Sequence, residues 1–202
     1  MCTVALFHSA LGVRPGVLDA ADRLRAAGHE VLVVDQYDGR IFADYAAAGA
    51  QVEQVGFPEL MARAEEAVAG LPDGFVVLGW SNGAGMAEYV ATRRRVAGAV
   101  LVSGALPLEL LGADAWPAGV PVQLHGTEGD PFAQREWEEA FAAAVEAAGA
   151  PSERFAYPGS GHLFTDASLP AEHDPRATEL LWTRVLAFLE ALSPAAGATN
   201  PG

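Results

Sequence analysis

The segment FVVLGWSNGAGMAEYVA occupies residues 75–91 and decides the fold prediction. Its first part, residues 75–79, is a continuous apolar run, which is typical of a strand with helices over both faces of its sheet. Its last part is rich in alanine and other small residues and predicts a helix that begins at Ala84 and ends near Arg95. A strand that leads through a short glycine-containing turn into a helix is the repeating unit of a parallel α/β sheet.

The same alternation of apolar runs and helical patterns continues on both sides of this segment. Further strands are predicted over residues 3–8, 31–34, 99–102, 120–125 and 154–157, and further helices over residues 15–27, 58–69, 132–148 and 177–192. We therefore expect one α/β domain over residues 1–192, with a mostly parallel sheet and helices on both faces, and a flexible tail over residues 193–202. The longest stretch predicted to be irregular, residues 35–57, is a candidate wall of a ligand site, and the segment after Ser103 and residues 163–175 are further candidate walls.

Composition and charge exclude several classes of function. Of 202 residues, 12 are Lys or Arg and 26 are Asp or Glu, which gives a net charge of −14. So acidic a chain is poorly suited to bind nucleic acid or an anionic membrane, and no apolar run reaches the roughly 20 residues that a membrane span needs. The single cysteine, Cys2, cannot form an intrachain disulfide. We expect a cytoplasmic monomer or homodimer that acts on a small molecule.

The turn between the central strand and its helix predicts a catalytic nucleophile. Residues 79–83, GWSNG, fit the pattern G-x-S-x-G, in which the serine occupies a strained turn between strand and helix. The flanking glycines let the strand and the helix approach each other closely. Ser81 is therefore the predicted nucleophile, and the alternative is an ordinary glycine-rich connection.

A serine nucleophile needs a histidine base, which follows the serine and an intervening acid in chain order. His8 and His29 precede Ser81, and His125 leaves too little room for the acid. His162, in the glycine-rich segment YPGSGHLF, is the preferred base, and His173 is the alternative.

The acid is expected in the segment HGTEGDPF, which follows the predicted strand 120–125. It offers Glu128 and Asp130, of which Asp130 is preferred, although a carboxylate before a proline also suits a helix N-cap. Backbone amides of Ala10 and Asn82 are the predicted oxyanion donors, since one lies in the loop after the first strand and the other follows the nucleophile. No spacing of histidines and carboxylates suggests a metal site, and no cofactor is expected.

These segments together, in this order and spacing, resemble the dienelactone hydrolase family of α/β-hydrolases over about residues 3–192. The further segments that carry the resemblance are LFHSALGVRPG and ADRLRAAGHEVLVVDQYDGR. The resemblance implies an α/β-hydrolase fold without a large lid domain. It also implies a triad of Ser81, Asp130 and His162, with the amides of Ala10 and Asn82 facing the oxyanion.

Three positions depart from the founding enzymes of that family. Those enzymes have a cysteine nucleophile where this chain has Ser81, a glutamate where it has Ser9, and a carboxylate-binding arginine where it has Asp166. Ser9, Trp80 and Asp166 are candidate substrate-binding residues, although Trp80 also suits the core, and Asp166 is expected to repel a substrate carboxylate. The predicted function is hydrolysis of small esters or lactones through an acyl-serine, and the alternative is an idle α/β-hydrolase that binds a small molecule or a protein.

Overall fold

A single parallel sheet of six strands forms the centre of the protein. The structure is a computed structural model and describes residues 1–193. The strands follow the order β2-β1-β3-β4-β5-β6 across the sheet, and every neighbouring pair is parallel. Their bounds are β1 Thr3–Phe7, β2 Glu30–Val34, β3 Phe75–Trp80, β4 Val96–Val102, β5 Val122–Thr127 and β6 Ser152–Tyr157. Each predicted strand is present, with bounds that differ by up to three residues.

The described residues contain six helices, of which five lie between strands and the sixth follows the last strand. They are α1 Pro15–Ala26, α2 Tyr45–Val55, α3 Phe57–Ala67, α4 Asn82–Arg93, α5 Arg135–Ala147 and α6 Pro175–Leu192, with a short 3₁₀ turn at Leu108–Leu111. Parallel strands need crossovers of this kind. None of these helices combines the length and the apolar character required to span a membrane. The predicted flexible tail lies, from residue 194 onward, outside the described residues.

Helix α2 corrects the prediction that residues 35–57 are irregular. The carboxylate of Asp44 caps its first turn by accepting a hydrogen bond of 2.8 Å from the amide of Ala47. Gly56, with φ of +84°, separates α2 from α3. Only Ala48 and Gln51 of α2 are buried, so the apolar periodicity that identifies most helices is weak here.

Alternate residues of β3 enter two separate cores, one on each face of the sheet. Phe75 and Val77 pack with residues of α3, α4 and α5, whereas Val76 and Leu78 pack with residues of α1 and α6. Because both faces are covered, the strand is apolar without interruption. This arrangement brings the carboxyl ends of all six strands to one edge of the sheet, where ligand sites of open α/β sheets lie.

Candidate active site

Ser81 lies in a strained turn between β3 and α4. Its φ of +54° and ψ of −119° are rare for a residue with a side chain. A hydrogen bond of 2.8 Å from its amide to the carbonyl oxygen of Val102 fixes the turn to the end of β4. A Cβ atom on Gly79 would collide with the carbonyl oxygen of Gly83, and one on Gly83 would collide with the carbonyl oxygen of Phe7. The two glycines of the motif are therefore required by close backbone contact.

The predicted triad residues lie within hydrogen-bonding distance of one another. The Nε2 atom of His162 lies 2.7 Å from Ser81 Oγ, and its Nδ1 atom lies 2.7 Å from Asp130 Oδ2. A carboxylate only accepts, so Nδ1 carries the proton and Nε2 is free to accept the serine proton. The alternatives lie elsewhere, since Glu128 is exposed and His173 lines a separate pocket between α1 and α6.

Three side chains hold the loop that carries His162, two of them from distant parts of the chain. Thr127 Oγ1 donates to the carbonyl oxygen of Gly161 at 2.9 Å, and Ser103 Oγ donates to that of His162 at 2.5 Å. The amide of Leu163 donates to Glu172 Oε2 at 2.7 Å. Sequence reasoning missed Ser103, Thr127 and Glu172 because no local motif marks them.

The two predicted oxyanion donors face one cavity together with Ser81. Ala10 and Asn82 both line it. Asn82 is the first residue of α4, so its amide has no partner inside the helix and lies at the positive end of the helix dipole.

His8 holds the loop of Ala10 in place. Its Nδ1 lies 2.6 Å from the carbonyl oxygen of Ser9, and its Nε2 accepts a hydrogen bond of 3.1 Å from the amide of Gln36. Burial lowers the pKa of His8 and favours the neutral ring that this pairing needs. The histidine that chain order excluded as a base is thus a structural one.

The cavity above Ser81 has a volume of about 470 Å³. Such a volume lies within the range of small-molecule sites. Two of the expected walls are present, from residues 35–57 and from the segment after Ser103, but residues 163–175 contribute nothing to the lining. Residues 132–137 take that place. The lining residues are Ala10, Tyr45, Gly49, Val52, Glu53, Phe57, Ser81, Asn82, Gly85, Ser103, Gly104, Ala105, Leu106, Phe132, Gln134, Trp137 and His162.

The three candidate substrate-binding residues are not part of this lining. Ser9 Oγ accepts a hydrogen bond from the amide of Leu11, and Trp80 Nε1 donates to Thr165 Oγ1. All three predicted residues are buried and line a smaller, separate pocket.

Asp166 is satisfied inside the protein. Its Oδ2 atom lies 3.1 Å from Arg14 Nε, and its Oδ1 atom accepts a hydrogen bond from the amide of Ser168. The guanidinium of Arg14, which is mostly buried, compensates the negative charge of this carboxylate. Asp166 is therefore placed to stabilise the fold, and the expected repulsion of substrate carboxylates cannot come from it.

His125 is buried next to β6. It is bonded to the Tyr157 hydroxyl group at 2.9 Å, and burial, reinforced by the charge of Arg184, lowers its pKa to about 3. Across residues 1–193, no group of three or more His, Cys, Asp or Glu side chains has the arrangement of a metal site.

The parallel sheet and the sharp turn at Ser81 define the α/β-hydrolase class. A sequence profile of the dienelactone hydrolase family matches residues 1–193, and the chain belongs to that family. This membership supports a hydrolase function. No curated protein matches the chain in sequence.

Solved structures share the fold at low sequence identity. A dienelactone hydrolase-like promiscuous phosphotriesterase, P91, from metagenomic libraries superimposes with a TM-score of 0.79 at 20% identity, covering 95% of this chain and 87% of that one. MGS-M1, an α/β-hydrolase from a Medee basin deep-sea metagenome library, gives 0.69 at 16%, with coverage of 95% and 84%. Mouse α/β-hydrolase domain-containing protein 10 gives 0.69 at 11%, with coverage of 95% and 90%.

Proposed function

We propose that the protein hydrolyses small carboxylic esters or lactones through an acyl-serine intermediate. The observation that carries the proposal is the pair of 2.7 Å contacts that join Ser81 to His162 and His162 to Asp130, with Ser81 and His162 lining an open cavity. A binding protein has no need of a serine, a base and an acid in this order and geometry.

In the first half of the reaction, Ser81 Oγ attacks the ester carbonyl carbon while its proton passes to His162 Nε2. The negative charge on the carbonyl oxygen is stabilised by the amides of Ala10 and Asn82. As the tetrahedral intermediate collapses, the bond to the alkoxy oxygen breaks and His162 gives its proton to the departing alcohol. Asp130 keeps the imidazole oriented and stabilises its charged form.

In the second half, His162 takes a proton from water, and the resulting hydroxide attacks the acyl carbon. The bond to Ser81 Oγ breaks, and the proton returns to the serine. The acid product leaves with no net change in the enzyme. The 470 Å³ cavity has room for both the acyl and the alkoxy groups of a small ester.

The experiment is labelling with a fluorophosphonate together with hydrolysis of 4-nitrophenyl butyrate. We expect mass spectrometry to find one adduct on Ser81 in the wild type and none in Ser81→Ala, which should also lose turnover by at least about 10³-fold. Ser9→Ala is the matched control, and it should still be labelled. A folded wild type that is neither labelled nor active would instead support the alternative, a catalytically idle α/β-hydrolase that binds a small molecule or a protein.

A further inference from the structure

The cavity lining carries a negatively charged side chain and, in the described residues, no lysine or arginine. Glu53, on α2, lines the cavity, is exposed and has no ion-pair partner among residues 1–193. Asp130 is not part of the lining, but it adds a second carboxylate directly behind His162, with its Oδ2 atom 2.7 Å from His162 Nδ1. No lysine or arginine belongs to the lining in the described part of the chain. A ligand in this cavity therefore meets negative charge without a compensating cation.

The neighbouring arginines are held by other groups. Arg14 is paired with Asp166, Arg40 donates to the side chain of Gln51 at 3.1 Å, and Arg135 donates to the carbonyl oxygens of Thr127 and Glu128. None of the three is among the lining residues. A substrate carboxylate would thus lose its hydration without gaining a charged partner.

Aromatic rings form the exposed rim of the same cavity. Phe57, Phe132 and Trp137 line it and remain 44%, 48% and 40% exposed. Phe132 also packs against Tyr45, with ring centroids 4.8 Å apart. Large apolar side chains left exposed together around a cavity indicate a binding surface. Aromatic faces attract cations, and ammonium groups are recognised by this combination of rings and a carboxylate.

We propose, on the basis of the proposed esterase function, that the cavity selects esters whose bulky group is apolar and positively charged, and that Glu53 is the residue that sets this preference. The order of kcat/KM is then cationic, neutral, anionic. The preference arises in binding, because a rim carboxylate attracts the ground state and the transition state alike, so it affects KM more than kcat.

The test uses three thioesters with one butyryl group and one readout, the release of thiol. S-butyrylthiocholine carries a quaternary ammonium, its 3,3-dimethylbutyl analogue is a neutral isostere, and S-butyryl-3-mercaptopropionate carries a carboxylate. We expect about a fivefold advantage of the cationic over the neutral thioester at low salt, and a further disadvantage of similar size for the anionic one. Because screening reaches about 8 Å at physiological ionic strength, both ratios should shrink as salt is added.

Glu53→Gln tests whether the substrate preference comes from this carboxylate or from the overall negative charge of the protein. It should reduce the cationic advantage to about twofold, the part owed to the aromatic rings, while the neutral thioester is unaffected. Glu190→Gln is the control, since it removes one exposed carboxylate from α6, a helix that contributes no lining residue. It should leave the ratios unchanged.

The outcomes distinguish a failure of the charge inference from a failure of the proposed esterase function. If the neutral thioester is hydrolysed in a Ser81-dependent way but the charge ratios are flat, or unaltered by Glu53→Gln, the charge inference is wrong and the esterase function stands. A preference for the thioester that carries the carboxylate would overturn the charge inference outright. If folded enzyme hydrolyses 4-nitrophenyl butyrate but none of the three thioesters, the charge inference fails and the esterase function stands; if 4-nitrophenyl butyrate is not hydrolysed either, the proposed function itself fails.

Discussion

The hydroxyl group of Ser103 donates a hydrogen bond of 2.5 Å to the main-chain carbonyl oxygen of His162, across 59 positions of sequence. Ser103 follows β4 directly and has a φ of +58°, a conformation that is unusual for serine. The amide of Ser103 in turn donates to the carbonyl oxygen of His125 on β5. The loop that carries the base is therefore tied to the end of the sheet next to the nucleophile.

Replacement of Ser103 by alanine should lower kcat by about tenfold with little change in KM. The reason is that His162 loses one of the hydrogen bonds that fix its backbone. A displacement of its ring by about 1 Å can cost up to a hundredfold in rate. The measurement is steady-state hydrolysis of 4-nitrophenyl butyrate.

Ser103→Gly controls for backbone strain, because glycine accepts a positive φ without cost. Both variants should lose turnover alike, although only the alanine variant retains the strain of a positive φ. Recovery of full kcat by glycine would show that the backbone, and not the hydroxyl group, matters.

Asp166→Asn should destabilise the protein strongly and leave its substrate preference intact. Removal of the carboxylate leaves the guanidinium of Arg14 buried without its charged partner, and breaking a buried pair costs about 3 kcal/mol. Thermal unfolding measures the loss, and the anionic-to-neutral thioester ratio should stay within about twofold of the wild type. A changed ratio with unchanged stability would instead place Asp166 at the substrate.

Glu88 makes the stability of the fold depend on pH. Burial raises the pKa of its carboxyl group well above the ordinary value of 4.5, and the hydrogen bonds from the amide of Leu106 oppose this only in part. The contribution to stability is complete below pH 4.5, where the unfolded chain is also protonated. It is lost as pH rises through the folded-state pKa, because the unfolded chain ionises first.

The side chain in Glu88→Gln is neutral at every pH. This variant should therefore be more stable than the wild type at pH values above the ordinary pKa of a glutamate. The difference in Tm should grow from near zero at about pH 4 to a few degrees at about pH 8, since 1 kcal/mol corresponds to about 2–4 °C for a domain of this size. Thermal unfolding of both proteins across this range is the measurement. A constant difference would show that the carboxyl group does not titrate abnormally.

Replacement by alanine should cost much more stability at one glycine of α4 than at another. Gly83→Ala drives a methyl group into the main chain of β1, which has no room to move, so a loss of about 3 kcal/mol or more is expected. Gly85→Ala meets only the end of the Leu106 side chain, and should cost less than about 1 kcal/mol while narrowing the cavity. Chemical denaturation distinguishes them, and equal losses would contradict this account of the turn.

The sheet and the triad could be predicted because their signals are local. Continuous apolar runs identify strands covered on both faces, and the G-x-S-x-G motif identifies the serine of the turn. Chain order then leaves few choices for the base and the acid, and the structure brings the preferred ones, His162 and Asp130, next to Ser81. Their catalytic roles stay predictions.

The position of Asp166 could not be predicted, because it depends on a partner 152 residues away in sequence. A loop carboxylate near a catalytic histidine looks the same in sequence whether it faces the substrate or a buried arginine. The roles of Ser103 and Glu172 could not be predicted for the same reason, since Ser103 bonds to His162 across 59 positions and Glu172 accepts from the hydroxyl group of Tyr45 across 127 positions.

Helix α2 contributes four residues, Tyr45, Gly49, Val52 and Glu53, to the cavity wall, but no member of the triad and no oxyanion donor. The groups that would break the bond and the groups that would select the molecule therefore occupy separate stretches of the chain. A library confined to Gly49, Val52 and Glu53 could be screened for altered substrate range while the reactive machinery stays the same in every clone. Tyr45 is left out, because its hydroxyl group donates to Glu172, which also holds the loop of His162.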